Sequence, residues 1–163
     1  MKHPHTHNIY FITILITICI SYLLSKYCIQ FTLVQGDSML PSYHNWELVI
    51  TEKFTKHYSY GDVIVFSNAN LNATLVKRIV ALPGDSVQID NGILYVNNIP
   101  SSIQFKDTLI EDAGIAATPI TLASNEYFVL GDNYTVSKDS RYTSIGCIQK
   151  SAIIGKVIFP HDS

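Results

Sequence analysis

The sequence predicts a mainly β protein in which an N-terminal transmembrane helix precedes an antiparallel β-sheet, barrel-like domain. Three observations lead there. One apolar run near the N-terminus is long enough to span a bilayer. The rest of the chain falls into short runs rich in Val, Ile, Tyr and Phe, and turn residues bound nearly every run. At 163 residues the chain suffices for one domain with its own core.

From Ile9 to Leu24 no side chain carries a charge at neutral pH. Asn8 and Ser25 to Cys28 extend the run to roughly the twenty residues that cross a bilayer. Apolar residues occur all round the helix, which excludes an amphipathic surface helix. Tyr10 and Tyr22 suit the membrane interfaces, and Lys26 can snorkel to the headgroups. No small-x-small cleavage site follows Leu24, so the segment is expected to persist as an anchor. The expected division is a short tail over 1–8, an anchor over 9–28 and a β-rich domain over 29–163. Lys2 and Lys26 flank the span, so the positive-inside count is nearly balanced and leaves the orientation open. His3, His5 and His7 alternate in the tail, where a solvated segment is favoured over a metal site.

Strands are expected at Ile29 to Val34, Glu47 to Thr51, Asp62 to Phe66, Leu75 to Ala81, Val87 to Ile89, Ile93 to Val96, Tyr127 to Leu130 and Ile153 to Phe159. The turns between them are Gly61-Asp62, Pro83-Gly84-Asp85, Asn91-Gly92, Asn97-Asn98 and Gly131-Asp132-Asn133. Asn97-Asn98 is a candidate hairpin turn, because Asn tolerates positive φ. Ser101 to Ser124 is the least patterned stretch, expected to hold a loop or one irregular hairpin. Many short strands without a long helical period imply an all-β domain.

A formal net charge of −2 leaves no basic footprint for nucleic acid. The three cysteines are too few for a disulfide framework; Cys19 lies in the span, and Cys28 and Cys147 are expected as free thiols. No metal or cofactor is expected.

Three blocks can carry chemistry. In Gly36-Asp37-Ser38-Met39-Leu40-Pro41, a serine in a turn bounded by Gly and Pro can present its Oγ and its own N–H together. Acyl transfer needs both, as nucleophile and as donor to the developing oxyanion; alone, the block is a weak signal, because most serines in turns are polar loop residues. In Lys77-Arg78-Ile79-Val80-Ala81, a lysine on an apolar strand can lose its charge through burial and serve as a base near neutral pH. Taken alone, Lys77 and Arg78 are better read as solvated strand charges. In the third block, Gly131-Asp132-Asn133 precedes Ser137-Lys138-Asp139-Ser140-Arg141. There Asp139 and Arg141 can pair to brace a loop, and Ser137 can accept a hydrogen bond from an amine; a plain polar turn is an equal alternative.

In this order the blocks resemble those of the type I signal peptidases, membrane-bound Ser/Lys proteases that release exported proteins. The resemblance covers nearly the whole chain. It adds Tyr60 to Phe66 and the long run Lys77-Arg78-Ile79-Val80-Ala81-Leu82-Pro83-Gly84-Asp85, and it follows the Gram-positive-type pattern. It implies Ser38 as nucleophile and Lys77 as general base. It implies Ser137 as the hydroxyl bonded to the lysine amine, Asp139 and Arg141 as a bracing pair, Asp132 in the same supporting shell, and Met39 beside the nucleophile. The Ser38 N–H is implied as one oxyanion donor. Gly36 stands where some members carry a second hydroxyl donor, so that donor is left open. The short segment between Asp85 and Gly131 implies that the large extra domain of some Gram-negative enzymes is absent.

The resemblance further implies a single-pass protein of the cell membrane with its catalytic domain on the extracytoplasmic face. Its partners would be the lipid bilayer and secretory preproteins, bound as extended strands and cut after small-x-small sites. Trp46, Phe54, Tyr58 and Tyr60 are candidates for an apolar lip that dips into lipid, equally readable as ordinary core or surface aromatics. His44, near Ser38 in sequence, is expected as a surface residue. The rival functions are a Ser/Lys maturation peptidase of a related family and a catalytically inactive anchored adaptor.

Overall fold

The computed structural model describes residues 5–103 and 108–160, with side chains from residue 9 onward. Helix α1 runs His5–Tyr27. It thus begins within the segment expected to be a tail; His3 lies outside the described residues, as do the side chains of His5 and His7. Every residue of α1 from Ile9 on is exposed, so its apolar surface has no protein partner among the described residues.

Eleven strands follow: β1 Ile29–Leu33, β2 Leu48–Glu52, β3 Val63–Asn68, β4 Ala73–Ala81, β5 Ser86–Asp90, β6 Ile93–Val96, β7 Ile99–Pro100, β8 Ile120–Thr121, β9 Glu126–Leu130, β10 Ile148–Gln149 and β11 Ile153–Phe159. They form a seven-stranded sheet in the order β1-β2-β11-β3-β4-β9-β10 and a four-stranded sheet in the order β7-β6-β5-β8. All the pairings are antiparallel. The fold is therefore mainly β with one N-terminal apolar helix, as the sequence predicts.

β3 explains why one motif is a continuous apolar run. Its Val63 and Val65 enter a cluster with Val34, Met39, Tyr43, Val49, Val76 and Val157. Its Ile64 and Phe66 enter another with Ile79, Tyr127, Val129, Ile145 and Ile148 on the opposite face. A strand covered on both sides has no polar alternation to show. β4 pairs with β3 along Ala73 to Arg78 and with β9 only from Arg78 onward, with a register shift between Ile79 and Ala81. Beyond that irregularity, Val80 and Ala81 join the third cluster, which the smaller sheet shares.

The two Asn-based turns behave as their chemistry requires. Asn91 and Gly92 close β5 onto β6 with φ of 49° and 79°, and Asn97 and Asn98 close β6 onto β7 with φ of 55° and 64°. Two successive residues at positive φ match the right-handed twist of a hairpin. The unpatterned stretch differs from expectation. It holds a 3-10 turn at Gly114–Ala117 and the strand β8, which pairs with β5 rather than forming a hairpin of its own. β7, β8 and β10 are two residues each, too short to leave a period in the sequence.

Helix α1 is tied to the first hairpin. The Lys53 backbone N–H donates to Cys28 O at 2.8 Å, and Lys53 Nζ donates to Ser25 O at 3.1 Å, satisfying a carbonyl at the helix C-terminus.

Candidate active site

Ser38 is held in a turn fastened from three directions. Val34 closes the preceding segment through its N–H to Glu47 O at 2.9 Å and by accepting from Trp46 N–H at 2.8 Å. Gly36, at φ 80°, makes a turn that an L side chain would strain, and its N–H donates to Asn45 Oδ1 at 2.9 Å. The Ser38 carbonyl accepts from Asn133 N–H at 3.1 Å, which joins this turn to the Gly131-Asp132-Asn133 block. Met39 is wholly buried in the cluster beneath, so packing fixes the residue next to Ser38 while Ser38 itself stays half-exposed.

Lys77 lies on β4 opposite Ile64. It is only 3% exposed, and its Nζ donates to Ser38 Oγ and to Val76 O, both at 2.8 Å. Burial disfavours the ammonium and outweighs the opposing pull of Asp139 and Asp132, so the pKa falls to about 8. This excludes the solvated-strand reading of Lys77. It excludes it for Arg78 as well, which is 8% exposed. Arg78 grips Asp132 in a fork, Nε to Oδ1 at 2.8 Å and Nη2 to Oδ2 at 2.7 Å. Its Nη1 donates to Gly61 O at 2.8 Å and its Nη2 to Ser42 Oγ at 3.2 Å.

The third block forms a second buried pair. Arg141 Nε donates to Asp139 Oδ1 at 2.8 Å and Nη2 to Asp139 Oδ2 at 3.0 Å. Arg141 also reaches the carbonyls of Tyr134, Ser137 and Asp112, and Asp139 Oδ2 accepts the Gly131 N–H at 3.1 Å. The pair therefore shapes the loop that carries Ser137 and meets Ser38.

Two expected details differ. Ser137 is 1% exposed, but its Oγ has no hydrogen-bond partner among the described residues, so it does not bond the Lys77 amine. The amine's bonds go to Ser38 Oγ and the carbonyl of its own neighbour instead. Gly36 is not an open oxyanion donor, because Asn45 takes its N–H. The Ser38 N–H engages no partner among the described residues and stays available. Of the candidate lip, Trp46, Phe54 and Tyr60 are exposed. Tyr58 stacks edge-on against Tyr127, and the Tyr60 hydroxyl is held by Asp85. His44 is exposed, as expected, and Cys19, Cys28 and Cys147 are free thiols.

Ser38 and Lys77 open into a groove of about 1060 Å³ lined by Gln30 to Ser38, Leu48, Asn72 to Lys77, Val136 and Lys138. Its walls include β1, the outermost strand of its sheet, and the part of β4 that pairs only with β3. Each therefore borders the groove with a strand edge lacking a partner strand. The roles of Asn45, Asn133 and Arg78 were not visible in the sequence. Those of Asn133 and Arg78 depend on contacts between segments far apart in the chain, that of Asn45 on the loop from Gly36 folding back on itself, and only the run Lys77-Arg78 hinted at one of them.

Comparisons with known proteins identify the family. The model of the family described as "Signal peptidase, peptidase S26" matches residues 8–161. The chain is 32% identical to signal peptidase I P of Bacillus subtilis subsp. natto, over 91% of this chain and 87% of that protein. It is 33% identical to signal peptidase IB of Staphylococcus aureus (strain COL), over 91% and 85%. A crystal structure of a signal peptidase I from Enterococcus faecalis V583 superposes with a TM-score of 0.52 at 26% identity, covering 63% of this chain and 97% of that one. A family match spanning nearly the whole chain, on a fold whose buried lysine meets an accessible serine, makes this chain a member of the signal peptidase family, peptidase S26, and thus a hydrolase of the signal-peptide-cleaving kind.

Proposed function

We propose that the protein is a membrane-anchored endopeptidase that cuts N-terminal signal peptides from exported preproteins with a Ser38/Lys77 dyad. The observation that carries this reading is the 2.8 Å hydrogen bond from a buried lysine amine to the hydroxyl of a serine that opens onto a groove. A general base must lie within hydrogen-bond reach of the proton it takes, with a pKa near the working pH. Lys77, at about 8, meets both conditions.

In this scheme neutral Lys77 takes the Ser38 proton as Oγ attacks the scissile carbonyl. The oxyanion forms at the free Ser38 N–H. The Lys77 ammonium returns the proton to the leaving amine as the C–N bond breaks, leaving an ester on Ser38. A water then gives its proton to Lys77 and attacks the ester, which frees the carboxylate product and restores the hydroxyl. Ser137, whose buried hydroxyl lacks a partner, offers the amine an acceptor once Ser38 has turned to the substrate.

The preprotein binds as an extended strand in the groove between β1 and the start of β4, where unpaired strand edges can hold its backbone. Membership in the signal peptidase family supports a cleavage site with small side chains on either side of an arbitrary one. α1 crosses the membrane once with the catalytic domain on the extracytoplasmic face. β1 starts two residues after α1 ends, and it exposes Phe31 and Leu33, the latter paired with the exposed Leu48. These residues line the groove, so its apolar wall lies beside the anchor. Confinement to the membrane raises the effective concentration of membrane-inserted substrates.

Incubating the full chain in vesicles with a secretory preprotein and sequencing the new N-terminus tests the proposal. Cleavage after a small-x-small site, abolished by Ser38→Ala, is expected. Cleavage only of a prepilin-type or other specialised substrate would point to a maturation peptidase. Full cellular function of Ser38→Ala would point to an adaptor.

A further inference from the structure

Lys77 stands in an unusual electrical setting for a base that must be uncharged. The charged groups around it come from several elements. Asp132, Asp139 and Arg141 come from the segment after β9, and Arg78 from its own strand. Asp37 lies next to Ser38, and Lys138 lines the groove beside it. Asp37 and Lys138 are exposed, where water screens them; Asp132 is 5% exposed and Asp139 wholly buried. Both buried carboxylates attract a proton to the amine, opposing the effect of burial. Yet each is gripped through both oxygens by a guanidinium. A carboxylate in such a pair presents a neutral dipole to a third charge, and the field of a dipole falls off faster than that of a bare charge.

The two pairs differ in what else they do. Arg141 gathers three loop carbonyls as well as Asp139, so its removal would dismantle the loop. Arg78 adjoins Lys77 in sequence and also touches Ser42, on the chain segment that carries the nucleophile. We propose that Arg78 is a positioning residue that screens the Asp132 carboxylate from Lys77, so that the amine stands beside a neutral ion pair and can be uncharged when substrate arrives. This rests on the dyad reading above. It adds a second requirement for a working base: besides exclusion of water, the acidic neighbour must be neutralised.

The test is the pH profile of kcat/KM on a peptide substrate, measured on full-length detergent-solubilised enzyme for two single variants and their combination. Arg78→Met bares the carboxylate, and the acidic limb should move up by about 1–3 pH units. Activity at pH 7 should then fall about tenfold per unit and recover at alkaline pH. Asp132→Asn bares the guanidinium instead, and the limb should move below its wild-type position. In Arg78→Met/Asp132→Asn both charges are gone, and the limb should return toward wild type. Opposite shifts that cancel cannot come from loosened packing, so the proposal stands even if one single variant folds poorly. A uniform loss of rate at every pH, with the limb unmoved in all folded variants, overturns it. Should Lys77→Ala retain activity in the same assay, the dyad reading fails instead, and the two failures are told apart.

Discussion

The Lys77 amine donates to the Ser38 hydroxyl across 2.8 Å while being only 3% exposed. These are the conditions for a base that is neutral near pH 8 and already aimed at its proton. The same burial sets a cost on stability, a limit on substitution and a pH dependence.

Activity is expected to rise with pH along a limb centred near 8, the pKa of Lys77. Below that value the amine is protonated and cannot accept the Ser38 proton; above it the neutral fraction saturates. Peptide hydrolysis followed from pH 5 to 10 checks this, and a limb near the ordinary lysine value of 10.5 would contradict it.

Lys77→Met should abolish cleavage and stabilise the fold. The folded-state pKa of about 8 lies below the ordinary 10.5. The penalty for carrying a buried ammonium is therefore fully present below pH 8, fades as pH rises, and is gone above about 10.5. At roughly 1.4 kcal/mol per pKa unit it amounts to about 3 kcal/mol at pH 6. Urea unfolding of both proteins at pH 6 and pH 10.5 should show the gap closing.

Ser137→Ala removes a buried hydroxyl that has no partner. Stability should hold or rise by about 1 kcal/mol, since an unsatisfied polar group is costly to bury. If the hydroxyl receives the amine during turnover, kcat should fall by on the order of 10²-fold. A variant with unchanged kcat would remove Ser137 from the cycle.

Gly131→Ala should inactivate the enzyme without touching a reacting group. A Cβ there would lie 2.2 Å from Ser137 Oγ and 2.4 Å from Ser38 O, so the nucleophile's turn must move. A misplacement of about 1 Å costs on the order of 10²-fold in rate. Adding Ser137→Ala should not rescue it, because the clash with the Ser38 carbonyl remains. Steady-state kinetics on the single and double variants decide the matter.

Arg141→Ala should destabilise by about 3–5 kcal/mol, the usual cost of orphaning one member of a buried ion pair. It leaves Asp139 uncompensated and releases the carbonyls of Tyr134, Ser137 and Asp112. Denaturant titration measures it directly.

Local pattern carried much of the fold. The helix is legible because nothing charged interrupts Ile9 to Leu24, and β11 because Ile153 to Phe159 is apolar between turn residues. The hairpins at Asn91-Gly92 and Asn97-Asn98 are legible because positive φ selects few residue types. β7, β8 and β10 were not legible as strands. Two residues carry no period: β8 and β10 are strands because they pair with β5 and β9 across intervening segments, and β7 because it folds back on β6.

What the sequence by itself determined was membership in the signal peptidase family, because its motif blocks stand in that family's order along nearly the whole chain. Tertiary structure alone decided the electrostatics. Whether Lys77 is charged, which carboxylate Arg78 neutralises and that Ser137 Oγ has no partner among the described residues all depend on through-space distance and the exclusion of water. Those quantities arise only when β4, the Ser38 turn and the segment after β9 converge, and no linear spacing encodes them.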